Sequence, residues 1–203
     1  MSEGLLKSPQ ELRDEFLKLQ NRDSVAQLLG LTTKQLNFHL YVLPSAKKYK
    51  TFSLPKKSGG IRKISAPASP IKVIQRKLKE VLETIYKPKP STHGFVSERS
   101  IVTNARLHKK RRYVLNIDLE DYFPTIHFGR VRGLFMGNPF YLNDEVATIL
   151  AQICCHDGVL PQGAPTSPSN HKVFSFIWNW NSARAMRLKA INCYSGWSLL
   201  KNN

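Results

Sequence analysis

Residues 116–126, Asn116-Ile117-Asp118-Leu119-Glu120-Asp121-Tyr122-Phe123-Pro124-Thr125-Ile126, are the stretch whose reading decides the fold. They continue an apolar, β-rich run that begins at Tyr113, so 113–118 reads as a buried strand with Asp118 at its end. A carboxylate at the exposed end of such a strand suits a divalent cation, because Mg²⁺ takes oxygen ligands and keeps waters and phosphates for the rest of its shell. Alone this is a moderate signal, since strand-terminal aspartates also cap the helix that follows. The second stretch lies downstream: Leu160-Pro161-Gln162-Gly163-Ala164-Pro165-Thr166-Ser167-Pro168. Its prolines and Gly163 bracket a rigid turn whose backbone can approach a base pair closely, although by itself it also reads as an ordinary loop.

Charge supplies the next constraint. Lys+Arg number 31 and Asp+Glu 14, a formal net charge of +17 that points to a polyanionic partner. The charge is segregated. Residues 51–117 hold 16 bases and 3 acids, whereas residues 118–160 hold 2 bases and 6 acids. Residues 161–203 hold 5 bases and no acid. Cations for phosphates followed by carboxylates for metal is the order a nucleic-acid enzyme needs, and a uniformly solvated basic surface would not be so divided.

At 203 residues the chain is long enough for one well-buried domain or parts of two. No stretch approaches the roughly 18 apolar residues of a membrane helix, and Met1 to Gln20 has no apolar secretory core. Three cysteines, two of them adjacent (Cys154 and Cys155), form neither a disulfide framework nor a metal pair. A soluble, cytoplasmic protein is expected.

Helical spacing of Leu12, Phe16 and Leu19 predicts a first helix over 9–21. Residues 23–43 predict two more, the first capped by Asp23 or Ser24 and closed by Gly30, the second capped by Thr32 or Thr33. Such a pair could be a DNA-reading helix-turn-helix, but is more often a packing element. Residues 50–67 predict a hairpin around Lys56-Lys57-Ser58-Gly59-Gly60, and 70–86 an amphipathic helix with Ile71, Ile74, Leu78, Val81, Leu82 and Ile85 on one face. Residues 128–156 read as helical with a break at Gly137-Asn138-Pro139.

Taken together, a strand ending in D-x-x-x-x-F and an LPQGxxxSP turn some 44 residues on, from 118 to 162, resemble motifs A and B of reverse transcriptases. NIDLEDYFPTI resembles the retron form of motif A. Asn104-Ala105-Arg106-Leu107-His108 fits the NAxxH box of retron enzymes, and HGFVSERSI (93–101) and ICC (153–155) are similar to family segments. The resemblance covers about residues 30–169. It implies an α+β right-hand polymerase, incomplete here. A helical N-terminal extension (1–45) would precede fingers (46–112) and a partial palm (113–168); residues 169–203 form an atypical tail, and the thumb is absent.

The resemblance also implies an RNA-directed DNA polymerase that copies a structured non-coding RNA into DNA in an anti-phage system. Its implied partners are that RNA as template and primer, the RNA–DNA hybrid, dNTPs and an effector protein, with no membrane. Asp118 would hold the catalytic Mg²⁺ pair. Phe123 would be the steric gate against a ribose 2′-OH, and Asp121 would lend its backbone near the triphosphate. Gln162 and Gly163 would floor the nascent base pair. Arg62 with Lys56 or Lys57 would clamp the terminal phosphates, Arg62 being suited to a bidentate grip. Asn104 and His108 would contact the RNA or stabilise the fold, and Lys109, Lys110 and Arg111 would bind the RNA with them. Cys154 and Cys155 are expected in the core.

After Ser167-Pro168 the resemblance ends. The family continues with a hairpin bearing Y-x-D-D, whereas residues 169–203 contain no Asp or Glu, and Asp157 is the last carboxylate side chain. Trp178-Asn179-Trp180-Asn181 must be encoded TGG-AAY-TGG-AAY, which in another frame reads GAA-YTG-GAA, Glu-Leu-Glu. A frameshift near residue 169 is therefore expected, and with it a chain inactive alone. Two other readings compete: a non-catalytic RNA-binding or scaffold protein, and a DNA-binding regulator built on 23–43.

Overall fold

The computed structural model describes residues 5–55, 59–85, 93, 96, 98–111, 113–119, 122–167 and 188–195; for 115–119, 122 and 188–195 the backbone alone is described. These residues fall into two compact units. The first holds the described residues up to 85 and those from 123 to 167, and the second those from 93 to 122 and from 188 to 195.

The first unit begins with short, well-capped helices. Helix α1 (Pro9–Leu17) starts at Ser8, whose side chain and Glu11 form a reciprocal capping box, with Pro9 in the first turn. Helix α2 (Arg22–Leu28) is capped by Asn21, not by Asp23 or Ser24. Ser24 is instead the third helical residue, and its hydroxyl closes the box back onto Asn21. Gly30 ends this helix with φ +61°, as expected of a glycine there. Thr32 caps α3 (Thr33–Asn37), which runs into a π-helical turn (Phe38–Val42) and then α4 (Ser45–Lys48).

Strands β1 (Tyr49–Pro55) and β2 (Ile61–Pro67) form the expected antiparallel hairpin, with Phe52 opposite Ile64 and Leu54 opposite Arg62. Helix α5 (Ser69–Ile85) follows. It buries Ile71, Ile74, Leu78, Val81 and Leu82, and also Gln75. Buried amides need partners. The Gln75 Nε2 group donates to the Tyr49 hydroxyl (2.7 Å) and to the Ile153 carbonyl (2.8 Å), so one side chain ties β1 and α5 to the later helix α9.

Later in this unit come α7 (Tyr122–Thr125, which begins at the unit boundary), α8 (Phe128–Met136) and α9 (Asp144–Cys154). The break between α8 and α9 falls at the anticipated Gly137-Asn138-Pro139. Asn143 caps α9, and Asp144 and Glu145 in its first turn suit the positive end of the helix dipole. Helix α1 packs on α5, and α9 on α2, α5 and α8. At the centre Phe16, Phe135 and Phe140 form an aromatic cluster with ring centroids 5.6–6.5 Å apart. Cys154 is in this core, as expected, while Cys155 is only half-buried.

The second unit holds α6 (Ile101–Leu107), capped by a Ser100–Thr103 box, and β3 (Tyr113–Leu119). The expected strand therefore exists, with Asp118 next to its last residue. Strand β4 (Leu188–Ser195) pairs antiparallel with β3, so that strand edge is covered by a segment the sequence pattern did not mark as a strand.

Phe16 is fully buried and touches both partner rings, so Phe16→Ala should destabilise the chain by about 3–5 kcal/mol. Urea unfolding followed by circular dichroism measures this, and a loss below about 1 kcal/mol would contradict the packing described.

Candidate nucleotide-handling site

The first unit brings together residues far apart in sequence. The Ser65 backbone N–H, on the edge of β2 that does not pair with β1, donates to the Gln162 carbonyl at 2.9 Å. Gly163 follows with φ +115°, a conformation that side chains rarely adopt. A Cβ placed there would stand 3.0 Å from Ile64 Cγ2 and 3.5 Å from the Ser65 carbonyl oxygen. Close backbone approach, the role glycine plays best, is thus made here to strand β2.

Strand alternation puts Arg62 on the same face of the hairpin as Ile64. The Gln162-Gly163 turn therefore lies against the strand that carries the exposed Arg62. Lys56 and Lys57, the other cations assigned to a phosphate clamp, lie outside the described residues.

The turn is also held from below. Leu160 is buried and its N–H donates to the Ile126 carbonyl at 2.9 Å. The Ser167 hydroxyl, buried, donates to the Pro161 carbonyl at 2.5 Å. Upstream, His156 and Val159 exchange backbone hydrogen bonds of 2.9 and 3.1 Å around Asp157 (φ +49°) and Gly158 (φ +78°). Two left-handed residues in a Asp-Gly pair give the tight turn that reverses a strand most readily. Phe123 is half-buried and leads into Ile126, whose N–H donates to the Phe123 carbonyl at 3.1 Å. Backbone bonds thus connect the Phe123 turn to Leu160, two residues before Gln162.

The remaining candidates belong to the second unit. Asn104, His108, Lys109, Lys110 and Arg111 are all exposed, on α6 and the turn after it. Asn104 and His108 bond the helix through their backbones (Asn104 N–H to the Ser100 carbonyl, 3.1 Å; His108 N–H to the Ala105 carbonyl, 3.0 Å), which leaves exposed side chains at the surface. Asp118 lies on β3, and its register partner on β4 is Lys189. Asp121 lies outside the described residues.

Among the described residues no three His, Cys, Asp or Glu side chains converge as a metal site. Asp118 is described by its backbone alone, and Glu120 and Asp121 lie outside the described residues.

Sequence reasoning missed the seat of the turn at Ile64 and Ser65, and a polar cluster around Tyr49. The Tyr49 ring stacks on His156 with centroids 3.9 Å apart and planes 17° apart. Burial pushes the Tyr49 phenol and the Cys155 thiol well above their ordinary ranges. Cys155 is thus a neutral thiol, in keeping with a non-catalytic role.

Gly163→Ala should cost about 1–3 kcal/mol through the left-handed φ and the contact with Ile64, and should speed hydrogen exchange at the Ser65 amide. The added Ile64→Ala change should restore part of the stability, because it removes the clash but not the backbone strain. Unchanged stability and unchanged Ser65 protection in Gly163→Ala would contradict the docking.

Residues 54–175 match the family described as reverse transcriptase (RNA-dependent DNA polymerase). The chain is 36% identical over 168 residues to the retron Mx65 reverse transcriptase of Myxococcus xanthus, a match covering 74% of this chain and 39% of that protein. It is 32% identical over 175 residues to the retron Mx162 reverse transcriptase of Myxococcus xanthus, covering 74% and 35%. The retron Ec86 reverse transcriptase of Escherichia coli is 35% identical over 153 residues, covering 74% and 46%. The chain thus spans between about a third and a half of the length of these relatives. By motif, by matched span and by these relatives, the chain belongs to the reverse transcriptase family, RNA-dependent DNA polymerases, and is of the retron type.

Proposed function

We propose that this chain carries the nucleotide-handling part of a retron reverse transcriptase, an enzyme that copies a structured non-coding RNA into DNA. The observation that carries this reading is the seating of the Gln162-Gly163 turn against the β2 strand that bears Arg62. The hairpin region would act as fingers. Arg62, with Lys56 or Lys57, grips the triphosphate of an incoming dNTP, and Gln162 and Gly163 support the nascent base pair. Phe123 screens against a 2′-OH, and Asp121 lends its backbone nearby. In the partial palm, Asp118 is one ligand of a Mg²⁺ site that these residues do not complete, so no chemical step is assigned to them. The exposed Asn104, His108, Lys109, Lys110 and Arg111 form the RNA-binding surface.

As its larger setting the reading takes an effector protein as partner, a cytoplasmic enzyme, and a role in defence against phage. Among the described residues no helix is long and apolar enough to cross a membrane. The stretch 169–203 has no acid, and its residues beyond the family match, 176–203, are a candidate frameshift product; this favours a second reading in which the chain binds RNA without copying it.

Both readings predict tight RNA binding that weakens by roughly 10³-fold or more between about 50 and 200 mM salt, through counterion release. Filter binding measures it, and absence of RNA binding would overturn both. Primer extension with Mg²⁺, dNTPs and an RNA template should give no product from this chain. Template-dependent DNA synthesis would show that the metal site is complete after all.

A further inference from the structure

A partly open cavity of about 220 Å³ in the first unit is lined by none of the residues assigned above to nucleotide handling. The π-helical turn and α4 contribute His39, Leu40, Ser45 and Lys48 to its wall, and the turn after α9 contributes His156 and Asp157. We infer that it takes one unstacked nucleobase of single-stranded RNA, with the flanking phosphates left outside. This inference rests on the nucleic-acid reading proposed above.

Size sets the first limit. A cavity of about 150 Å³ holds a benzene ring, and pockets for drug-sized ligands start at roughly 300 Å³. Some 220 Å³ therefore suits a single flat heterocycle. Ile71, Ile74 and Phe128 give that heterocycle apolar walls.

The polar groups narrow the chemistry. Lys48 Nζ donates to the Leu40 carbonyl at 2.7 Å and retains two further N–H groups. His39 Nδ1 is buried and has no hydrogen-bond partner. Asp157 adds acceptors, with one carboxylate oxygen 3.3 Å from His156 Nε2 and the other 3.5 Å from the Ser45 hydroxyl. That carboxylate repels a bare anion, and no three metal-ligating side chains converge among the described residues. A base edge, which presents donors and acceptors side by side, matches both Lys48 and Asp157. Burial, and secondarily the charge of Lys48, lowers the His39 pKa, which favours the neutral ring with its one donor and one acceptor.

The surroundings fit a bound RNA strand. Lys63, exposed on β2, would supply a cation for an adjoining phosphate. Single-stranded RNA is read in this manner, with bases splayed into pockets and the backbone tracked by positive charge. The local backbone is also special: a π-helical turn forms one wall, and Asp157 is a non-glycine residue at positive φ.

The test uses fluorescence anisotropy of the 203-residue chain with a short labelled single-stranded RNA, and with an abasic oligonucleotide of equal length. Ser45 is exposed at the rim, so Ser45→Phe plugs the cavity without disturbing the core, and His39→Ala removes a base partner. Both variants should keep the wild-type melting temperature within a few degrees. Each should bind RNA roughly tenfold more weakly with an unchanged salt slope, and should bind the abasic strand as the wild type does. Lys63→Ala should instead lower the slope by about 0.7, as loss of a phosphate contact does for a single strand. If the wild type binds RNA and neither Ser45→Phe nor His39→Ala weakens it, this inference alone is overturned. Equal weakening on the abasic strand would also overturn it, and failure of the wild type to bind RNA would overturn it together with the proposed function.

Discussion

The hydrogen bond from the Ser65 N–H to the Gln162 carbonyl is the constraint on which the geometry of the candidate site depends. It joins the edge of a basic hairpin to a turn from the far end of the first unit. A backbone bond of this kind forms only where the turn comes within van der Waals reach of the strand, and a Cβ at position 163 would stand 3.0 Å from Ile64 Cγ2. Gly163, at φ +115°, and the strand that carries Arg62 meet at this contact.

That contact is supported by packing on its core side. Gln75 connects Tyr49, at the start of β1, to Ile153 near the end of α9. The hairpin and the segment leading into the turn are therefore anchored to the buried face of the same helix, α5. The Asp157-Gly158 reversal then aims the chain toward Leu160, whose bond to Ile126 fixes where the turn begins. Apolar burial supplies the stability, and a few directional bonds decide which surfaces meet.

Much of the fold was legible because it is written in local patterns. The period of Ile71, Ile74, Leu78, Val81 and Leu82 predicted α5, and the Gly59-Gly60 pair predicted the hairpin. The cap of α2 was misplaced by two or three residues, because Asn21, Asp23 and Ser24 are all good capping types and only geometry selects among them. The π-helical turn was invisible, since a one-residue shift in hydrogen bonding has no compositional mark. Strand β4 was missed because residues 169–203 were read as out of frame, and its pairing with β3 is non-local. For the site, Asp118 at a strand end suggested a metal ligand, and the resemblance to motifs A and B implied the roles of 62, 123, 162 and 163. The seat of Gln162 and Gly163 on Ile64 and Ser65 was not readable, because long-range contacts leave no trace in local spacing.

The central claim is that RNA and nucleotide meet this chain where the hairpin and the turn are docked. Photo-crosslinking with a 4-thiouridine-substituted RNA template annealed to a DNA primer, followed by peptide mapping, tests it most directly. The account predicts adducts on peptides spanning both 61–65 and 160–165. Adducts confined to other parts of the chain, with both segments unmodified, would contradict it.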